Sequence, residues 1–194
     1  MDGTLTHAIH DFDAIRQTLG LPEAQPILES IAQLPKDKAA AVSLQLEEME
    51  YDIASRATAQ PGAMELLEYL KTQHAQLGIV TRNGKGIAIE TLKAAGLNHY
   101  FHQQFIISRD CCAPKPQPDG IELLLQRFSG VPESAVMVGD FVFDLQAGKN
   151  AGTATVHMDV TGQFPWPELT DVSVSSLSML QAQLRKSVDS AQPE

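Results

Sequence analysis

Two acidic side chains follow a short apolar run in the second half of the chain. Asp140 and Asp144 come after residues 135–139, a run that is too short for a helix and is typical of a buried strand. Two buried carboxylates this close repel each other unless a cation lies between them. Carboxylate oxygens are the ligands that Mg²⁺ prefers, so the spacing predicts a metal site. The alternative is that both acids are solvated and cap the next helix.

Three further polar side chains are suited to binding a phosphoryl group. Thr81 ends another apolar run, so its hydroxyl and nearby backbone N–H groups can bind an anionic oxygen. Asn83 follows in the same glycine-containing turn, and both residues could instead only cap the next helix. Lys115 lies between Pro114 and Pro116, which stiffen its loop and orient the ammonium group.

The chain opens with Met-Asp-Gly-Thr-Leu-Thr, which places a carboxylate at Asp2. Phosphoryl transfer needs a nucleophile, a general acid and base, cations near the non-bridging oxygens and a metal ion. The segments around Asp2, Thr81, Lys115 and Asp140 together resemble the four motifs of the haloacid dehalogenase-like hydrolases. The order of the motifs, and a helical segment between the first two, are similar to the phosphoglycolate phosphatase-like branch of that family.

The resemblance extends from Asp2 to about residue 180 and implies a magnesium-dependent phosphatase. It implies that Asp2 protonates the leaving oxygen, later activates water and binds the metal ion through its backbone carbonyl. It also implies that Asp140 is a direct ligand of Mg²⁺ and that Asp144 orients Lys115 or holds a metal-bound water. The expected metal site therefore consists of Asp2, Asp140 and Asp144.

The same resemblance assigns the phosphate-binding residues. Thr81 stands where the family has a Ser or Thr, Asn83 resembles its frequent follower, and Lys115 neutralises the nucleophile and the transferred phosphoryl group. The expected catalytic set is Asp2, Thr81, Lys115 and Asp140. The expected partner is a small phosphorylated metabolite.

The first motif of the family reads Asp-x-Asp-Gly-Thr, and Met1 falls on its variable position. The nucleophilic Asp, which would form an aspartyl-phosphate, therefore belongs directly before Met1. We expect a longer natural protein, in which a Met inside this motif was taken as the start. The first core strand, which ends in the nucleophile, is then missing here as well. Two alternatives remain: a non-catalytic phosphate- or metal-binding protein, and a phosphomutase of the same family.

The apolar runs predict an α/β protein. Strands are expected at residues 77–81, 105–108, 135–139, 154–157 and 171–174, with helices at 63–70, 87–95, 121–128, 143–150 and 177–185. Strands that alternate with helices are typical of a Rossmann-like parallel sheet with helices on both faces.

Residues 8–60 contain no convincing strand and show three apolar stripes at helical spacing. They predict a small all-helical cap inserted after the first motif. The α/β core domain would then comprise residues 1–7 and 61–186, and residues 187–194 would be a disordered tail.

The cap also carries cations that could contact the far end of a substrate. Its candidates are Arg16, Lys36, Lys38 and Arg56, and a solvated helix face is the default for each. We expect hinges of the cap near residues 6–10 and 59–62, and we favour Arg56 because it lies near the second of them.

The charge of the chain and its cysteine content indicate which partners and which cellular compartment to expect. A formal net charge of −10 without a basic patch argues against nucleic acid and against an anionic membrane. The only two cysteines, Cys111 and Cys112, are adjacent and are expected to be reduced, as in a cytoplasmic protein. The sequence leaves monomer and homodimer open.

Overall fold

The computed structural model describes residues 1–23 and 25–191 of the 194-residue chain. Within this part, helices and short strands follow one another as the apolar runs predict. The pairs between the named strands are all parallel. The predicted α/β class, with a Rossmann-like arrangement of parallel strands, is confirmed.

The first three helices form one segment, which we call the helical insert. Helix α1 spans Phe12–Leu19, α2 spans Ile27–Ala32 and α3 spans Lys36–Ala54. Asp11 accepts a hydrogen bond from Ala14 N and so caps the start of α1. The insert has a small apolar core of its own, formed by Ile15, Leu19, Leu21, Ile31, Val42 and Leu46.

Two chain segments that run side by side connect the insert to the rest of the protein. Gln60 N donates to the Leu5 carbonyl at 2.8 Å, and His7 N donates to the Thr58 carbonyl at 3.0 Å. These bonds lie at the two predicted hinges. They fix the places where the chain leaves the core and returns to it.

Five further helices follow the insert. They are α4 (Ala63–Thr72), α5 (Lys85–Ala94), α6 (Asp119–Phe128), α7 (Val142–Asn150) and α8 (Leu177–Ala191). The largest buried apolar cluster includes residues of α4, α5 and α8 together with strand residues. No helix in the described part of the chain is long and apolar enough to cross a membrane.

The strands form two sheets rather than the single sheet that the sequence predicts. β1 (Ile79–Val80) pairs with β2 (Ile106–Ile107). β3 (Val136–Gly139), β4 (Ala154–Met158) and β5 (Val172–Val174) form a three-stranded sheet in that order.

A cavity of about 590 Å³ lies between the two sheets. Val80 of β1 and Val138 of β3 line it from opposite sides, together with Met1, and Val136 is 56% exposed. Apolar side chains in a packed interior are normally covered on all sides. The apolar side chains that face this cavity from the two sheets are therefore only partly covered.

The disordered tail expected at residues 187–194 is wrong in part. Residues 187–191 of the predicted disordered tail belong to α8, and residues 192–194 lie outside the described residues. The helix continues because residues 177–191 contain neither Gly nor Pro and are rich in strong helix formers.

Candidate active site

The loops that follow β1, β2 and β3 bring the predicted site residues together with the start of the chain. Carboxyl ends of parallel strands are the usual place for a site in such a fold. A pocket of about 530 Å³ lies between these loops and the helical insert. All six residues predicted from the sequence line it: Asp2, Thr81, Asn83, Lys115, Asp140 and Asp144.

Lys115 and Asp144 form a buried ion pair at the base of this pocket. The ammonium group contacts Asp144 Oδ1, and each side chain is only 7% exposed. Phe141 N donates to the other oxygen, Asp144 Oδ2, at 3.1 Å. Burial alone would raise the pKa of Asp144. The charge and hydrogen bond of Lys115, together with the Met1 amino group and the Phe141 N–H, outweigh burial and lower that pKa below its ordinary value.

Asp140 lies beside this pair without a cation of its own among the described side chains. Its Oδ1 accepts a hydrogen bond from Thr4 Oγ1 at 2.7 Å. Burial raises the pKa of Asp140; the Met1 amino group opposes this effect and the negative charge of Asp144 adds to it. The ionised carboxylate is therefore held in an unfavourable environment, which a bound cation would relieve.

Two glycines make this close packing of carboxylates possible. Gly3 has φ +79°, and a Cβ atom there would lie 2.0 Å from Asp140 Oδ2. A Cβ at Gly139 would lie 2.1 Å from the Cβ of Asp144. Both positions therefore require glycine because any side chain would displace a carboxylate.

Asp2 is held by the turn that follows β1. Asn83 Nδ2 donates to Asp2 Oδ2 at 2.9 Å, and Thr6 Oγ1 donates to Asp2 Oδ1 at 3.4 Å. Asn83 N donates to Thr81 Oγ1 at 3.1 Å, so this hydroxyl still has its own hydrogen to offer a ligand. Thr81 thus contributes to the local turn, and it also remains free to bind an anion.

The donor set fits a hard cation with few protein ligands. Among the described residues, no group of three or more His, Cys, Asp and Glu side chains is arranged to hold a metal ion. Asp144 is engaged by Lys115, which leaves Asp140 as the available carboxylate. Mg²⁺ is commonly bound through one or two carboxylates, several waters and substrate phosphate, rather than by a cage of protein ligands.

Arg82 takes a part in the site that its sequence position does not reveal. From the sequence, Arg82 could reach a substrate or lie in solvent, and solvent is the expectation we favour; its side chain is in fact only 20% exposed. Its guanidinium donates to both carboxylate oxygens of Glu29 in α2 at 2.7 Å and to the Lys115 carbonyl, and it lies over the Phe143 ring. Its acidic partner is distant in sequence, so local spacing gives no signal of the contact.

A second arginine makes a similar contact between the insert and the core. Arg109 forms two hydrogen bonds to the carboxylate of Glu50 in α3, at 3.0 and 2.8 Å. Glu50 is itself buried. The insert is therefore joined to the core at this pocket by two arginine–glutamate pairs.

The structure does not place Arg56, the cation of the insert that the sequence favours as a substrate contact, in the pocket. Arg56 follows the end of α3; its side chain is 64% exposed and pairs with Asp52 of that helix. Arg16, not Arg56, lines the pocket, and neither Lys36 nor Lys38 does.

Comparison with known proteins places the chain in a family. The family model for haloacid dehalogenase-like hydrolases matches residues 6–158. The hydrolase YOR131C of Saccharomyces cerevisiae is 31% identical over 186 residues, which cover 92% of this chain and 85% of that protein. The phosphonoacetaldehyde hydrolase of Latilactobacillus sakei is 29% identical over 163 residues, 75% of this chain and 61% of that enzyme.

Another relative matches over a shorter region. The pyrophosphatase PpaX of Bacillus velezensis is 41% identical over 91 residues, 47% of this chain and 42% of that enzyme. The chain thus spans less than two thirds of the length of two of these three relatives.

Solved structures support the fold. A hydrolase from Pseudomonas syringae superposes with a TM-score of 0.80 at 22% identity and covers 95% of each chain. A hydrolase from Deinococcus radiodurans, solved with bound phosphate and sodium, has a TM-score of 0.72 at 21% identity and covers 96% of this chain and 93% of that one. The family predicted from the four motifs is therefore confirmed, and the chain belongs to the haloacid dehalogenase-like hydrolases.

Proposed function

We propose that this protein is a magnesium-dependent phosphatase of small phosphorylated metabolites. The observation that carries the proposal is the convergence of Lys115, Thr81, Asp2 and Asp140 on one pocket. A cation and a hydroxyl that face two carboxylates suit a phosphoryl group, which needs its charge neutralised and its leaving oxygen protonated. The PpaX relative is a pyrophosphatase, and the Deinococcus radiodurans hydrolase was solved with bound phosphate.

The proposed reaction has two steps. In the first, an aspartate carboxylate directly before Met1 attacks phosphorus, the bond between phosphorus and the leaving alcohol breaks, and Asp2 gives that oxygen its proton. In the second, Asp2 takes a proton from water as the water oxygen attacks phosphorus. The bond between phosphorus and the aspartate oxygen breaks, inorganic phosphate leaves, and the carboxylate is restored.

The surrounding side chains position the phosphoryl group and balance its charge. Lys115 and the Thr81 hydroxyl bind its non-bridging oxygens, and Asp144 holds the Lys115 ammonium in place. Asn83 orients Asp2 through the hydrogen bond to its carboxylate. A preorganised arrangement of this kind stabilises charge that develops in the transition state.

Asp140 and the Asp2 backbone carbonyl would hold Mg²⁺ in this proposal, with Asp144 contributing through a metal-bound water at most. When bound, the ion supplies positive charge to the phosphoryl oxygens. The raised pKa of Asp140 is the feature of the chain that fits a cation there.

The helical insert acts as the cap in this proposal. It closes the pocket opposite the carboxylates, and its attachment through Arg82–Glu29 and Arg109–Glu50 keeps it over the site. Closing such a site excludes water until the leaving group has gone.

The test uses a chain with a short apolar strand of about five residues that ends in Asp directly before Met1, which we call the extended chain. We expect it to release phosphate from members of a panel of phosphorylated metabolites with Mg²⁺ present, and not when the ion is chelated. Ligand binding without any turnover would favour the non-catalytic alternative. Isomerisation of a sugar phosphate without phosphate release would favour a phosphomutase.

A further inference from the structure

The two arginine–glutamate pairs that join the insert to the core act on the same turn, the one that follows β1. Arg82 lies in this turn and gives two hydrogen bonds to Glu29 of α2. Arg109 binds Glu50 of α3, and its Nη1 also donates to the Arg82 carbonyl at 3.4 Å. The insert is therefore linked to both the side chain and the backbone of Arg82.

The guanidinium of Arg82 also connects this turn to the loop of Lys115. Its Nη1 donates to the Lys115 carbonyl while its Nη2 contacts Glu29, and its Cζ lies 4.8 Å from the centroid of the Phe143 ring. A guanidinium presents its donors in a fixed planar fork, so a bond on one side restricts where a bond on the other side can form. Arg82 therefore joins the backbone of Lys115 to the insert through one rigid group.

The loop around Lys115 has few backbone donors of its own. Pro114 and Pro116, which flank Lys115, have no N–H group. The Lys115 carbonyl accepts a hydrogen bond from Arg82, and the Pro116 carbonyl accepts one from the Asn150 side chain at 3.1 Å. Side chains from other segments thus hold two consecutive carbonyls of this loop, and the loss of one such contact should shift the Lys115 ammonium group.

Glu29 acts from outside the pocket. Of the described residues, Arg82 lines the pocket and Glu29 does not, and the Glu29 side chain is 45% exposed. A negative charge near an anion site disfavours the bound anion, so the removal of this charge alone should strengthen phosphate binding. A weaker affinity after its removal would instead identify a role in orientation.

We propose that Arg82 is a positioning residue for Lys115, and that Glu29 of the insert holds Arg82 in the orientation that this role requires. The ammonium group that binds the phosphoryl group is then placed correctly only while the insert is docked on the core. This inference rests on the proposed function and adds to it a link between the insert and the phosphate site. Lys115 contacts the phosphoryl group, whereas Glu29 affects it only through Arg82.

The experiment measures the affinity of the 194-residue chain for inorganic phosphate by calorimetry with Mg²⁺ present. Glu29→Gln removes a charge and keeps the shape of the side chain. We expect it to weaken binding roughly fivefold or more, which is within the range of coupling between residues of one hydrogen-bond network. Glu48→Gln is the matched control, because it removes the same charge from an exposed position of α3. It should change the affinity less than about twofold.

A double variant shows whether the two residues act together. Arg82→Ala should weaken phosphate binding at least as much as Glu29→Gln does. Adding Glu29→Gln to Arg82→Ala should change the affinity by less than about twofold, because both substitutions remove the same contact. Urea unfolding of each variant verifies that the chain is folded.

Nitrogen-15 NMR of the Lys115 ammonium group reports on its position directly. In the chain without phosphate, Glu29→Gln should shift this signal, and Glu48→Gln should leave it in place. A Glu29 side chain that only helps to attach the insert would not move the signal of a lysine that it does not contact.

The possible failures can be told apart. Unchanged or tighter phosphate binding by Glu29→Gln, or a Lys115 signal that does not shift, overturns the inference while the phosphate site stands. Additive losses in the double variant also overturn it, since Glu29 would then act independently of Arg82. If the wild-type chain does not bind phosphate, the proposed function is overturned, and this inference with it.

Discussion

Asp140→Asn is expected to reduce phosphate release by the extended chain roughly a thousandfold, because a metal ion stabilises transition-state charge by several kcal/mol. The same substitution should raise the free energy of unfolding of the 194-residue chain. The reason is that the negative charge of Asp140 is buried and lies near that of Asp144, which disfavours the ionised form. Asn removes this charge and keeps the oxygen that accepts a hydrogen bond from Thr4 Oγ1. Activity and stability should therefore change in opposite directions, as is common where function requires a strained group.

The pH dependence of that stability gain follows from the raised pKa of Asp140. The folded state of the wild type carries the full cost of the charge above the raised pKa, and none of it below the unfolded pKa of about 3.9. The gain from Asp140→Asn should thus be complete above the raised pKa of Asp140 and should vanish as the pH falls below about 3.9. Urea unfolding at a series of pH values measures it. Lower stability of the variant at neutral pH would contradict this account of the site.

Lys115→Ala should have a large effect of the opposite sign on stability. It leaves the Asp144 carboxylate buried without its cation, and the loss of one partner of a buried pair costs about 3–5 kcal/mol. The free energy of unfolding from urea titration at neutral pH is the measurement. A cost below about 1 kcal/mol, the level of a surface ion pair, would show that the pair is not buried.

Two controls separate the buried charge from the loss of a long side chain. The double variant Lys115→Met with Asp144→Asn removes both charges and keeps an acceptor for Phe141 N, so it should recover most of the loss. Lys149→Ala breaks the ion pair with Asp171, whose side chain is 45% exposed, and should cost no more than about 1 kcal/mol.

Much of the fold could be predicted from local patterns. Apolar runs such as residues 135–139 and 154–157 became the parallel pair β3 and β4, and helical stripes such as residues 121–128 became α6. The division of the sheet was not predicted, because the pairing of strands depends on which neighbours are present. The extent of α8 was not predicted either, because the polarity of its last residues concealed a good helix-forming composition.

The candidate site was predictable wherever the motif residues are close in sequence to the strand ends. The glycines next to Asp2 and Asp140 mark positions where the carboxylates pack too closely for a Cβ atom. Contacts between the insert and the core could not be predicted. Arg82 depends on Glu29 for its orientation, and only the tertiary packing of α1 turns Arg16 rather than Arg56 toward the pocket.

The measurement that tests the central claim most directly compares two extended chains that differ only at the residue directly before Met1. One ends its added strand in Asp and the other in Asn, and phosphate release from a phosphate monoester is followed with Mg²⁺ present. We predict turnover with Asp and a rate at least roughly a thousandfold lower with Asn, which is a far poorer nucleophile. Equal rates in the two chains, or no turnover in either, would contradict the phosphatase proposed here.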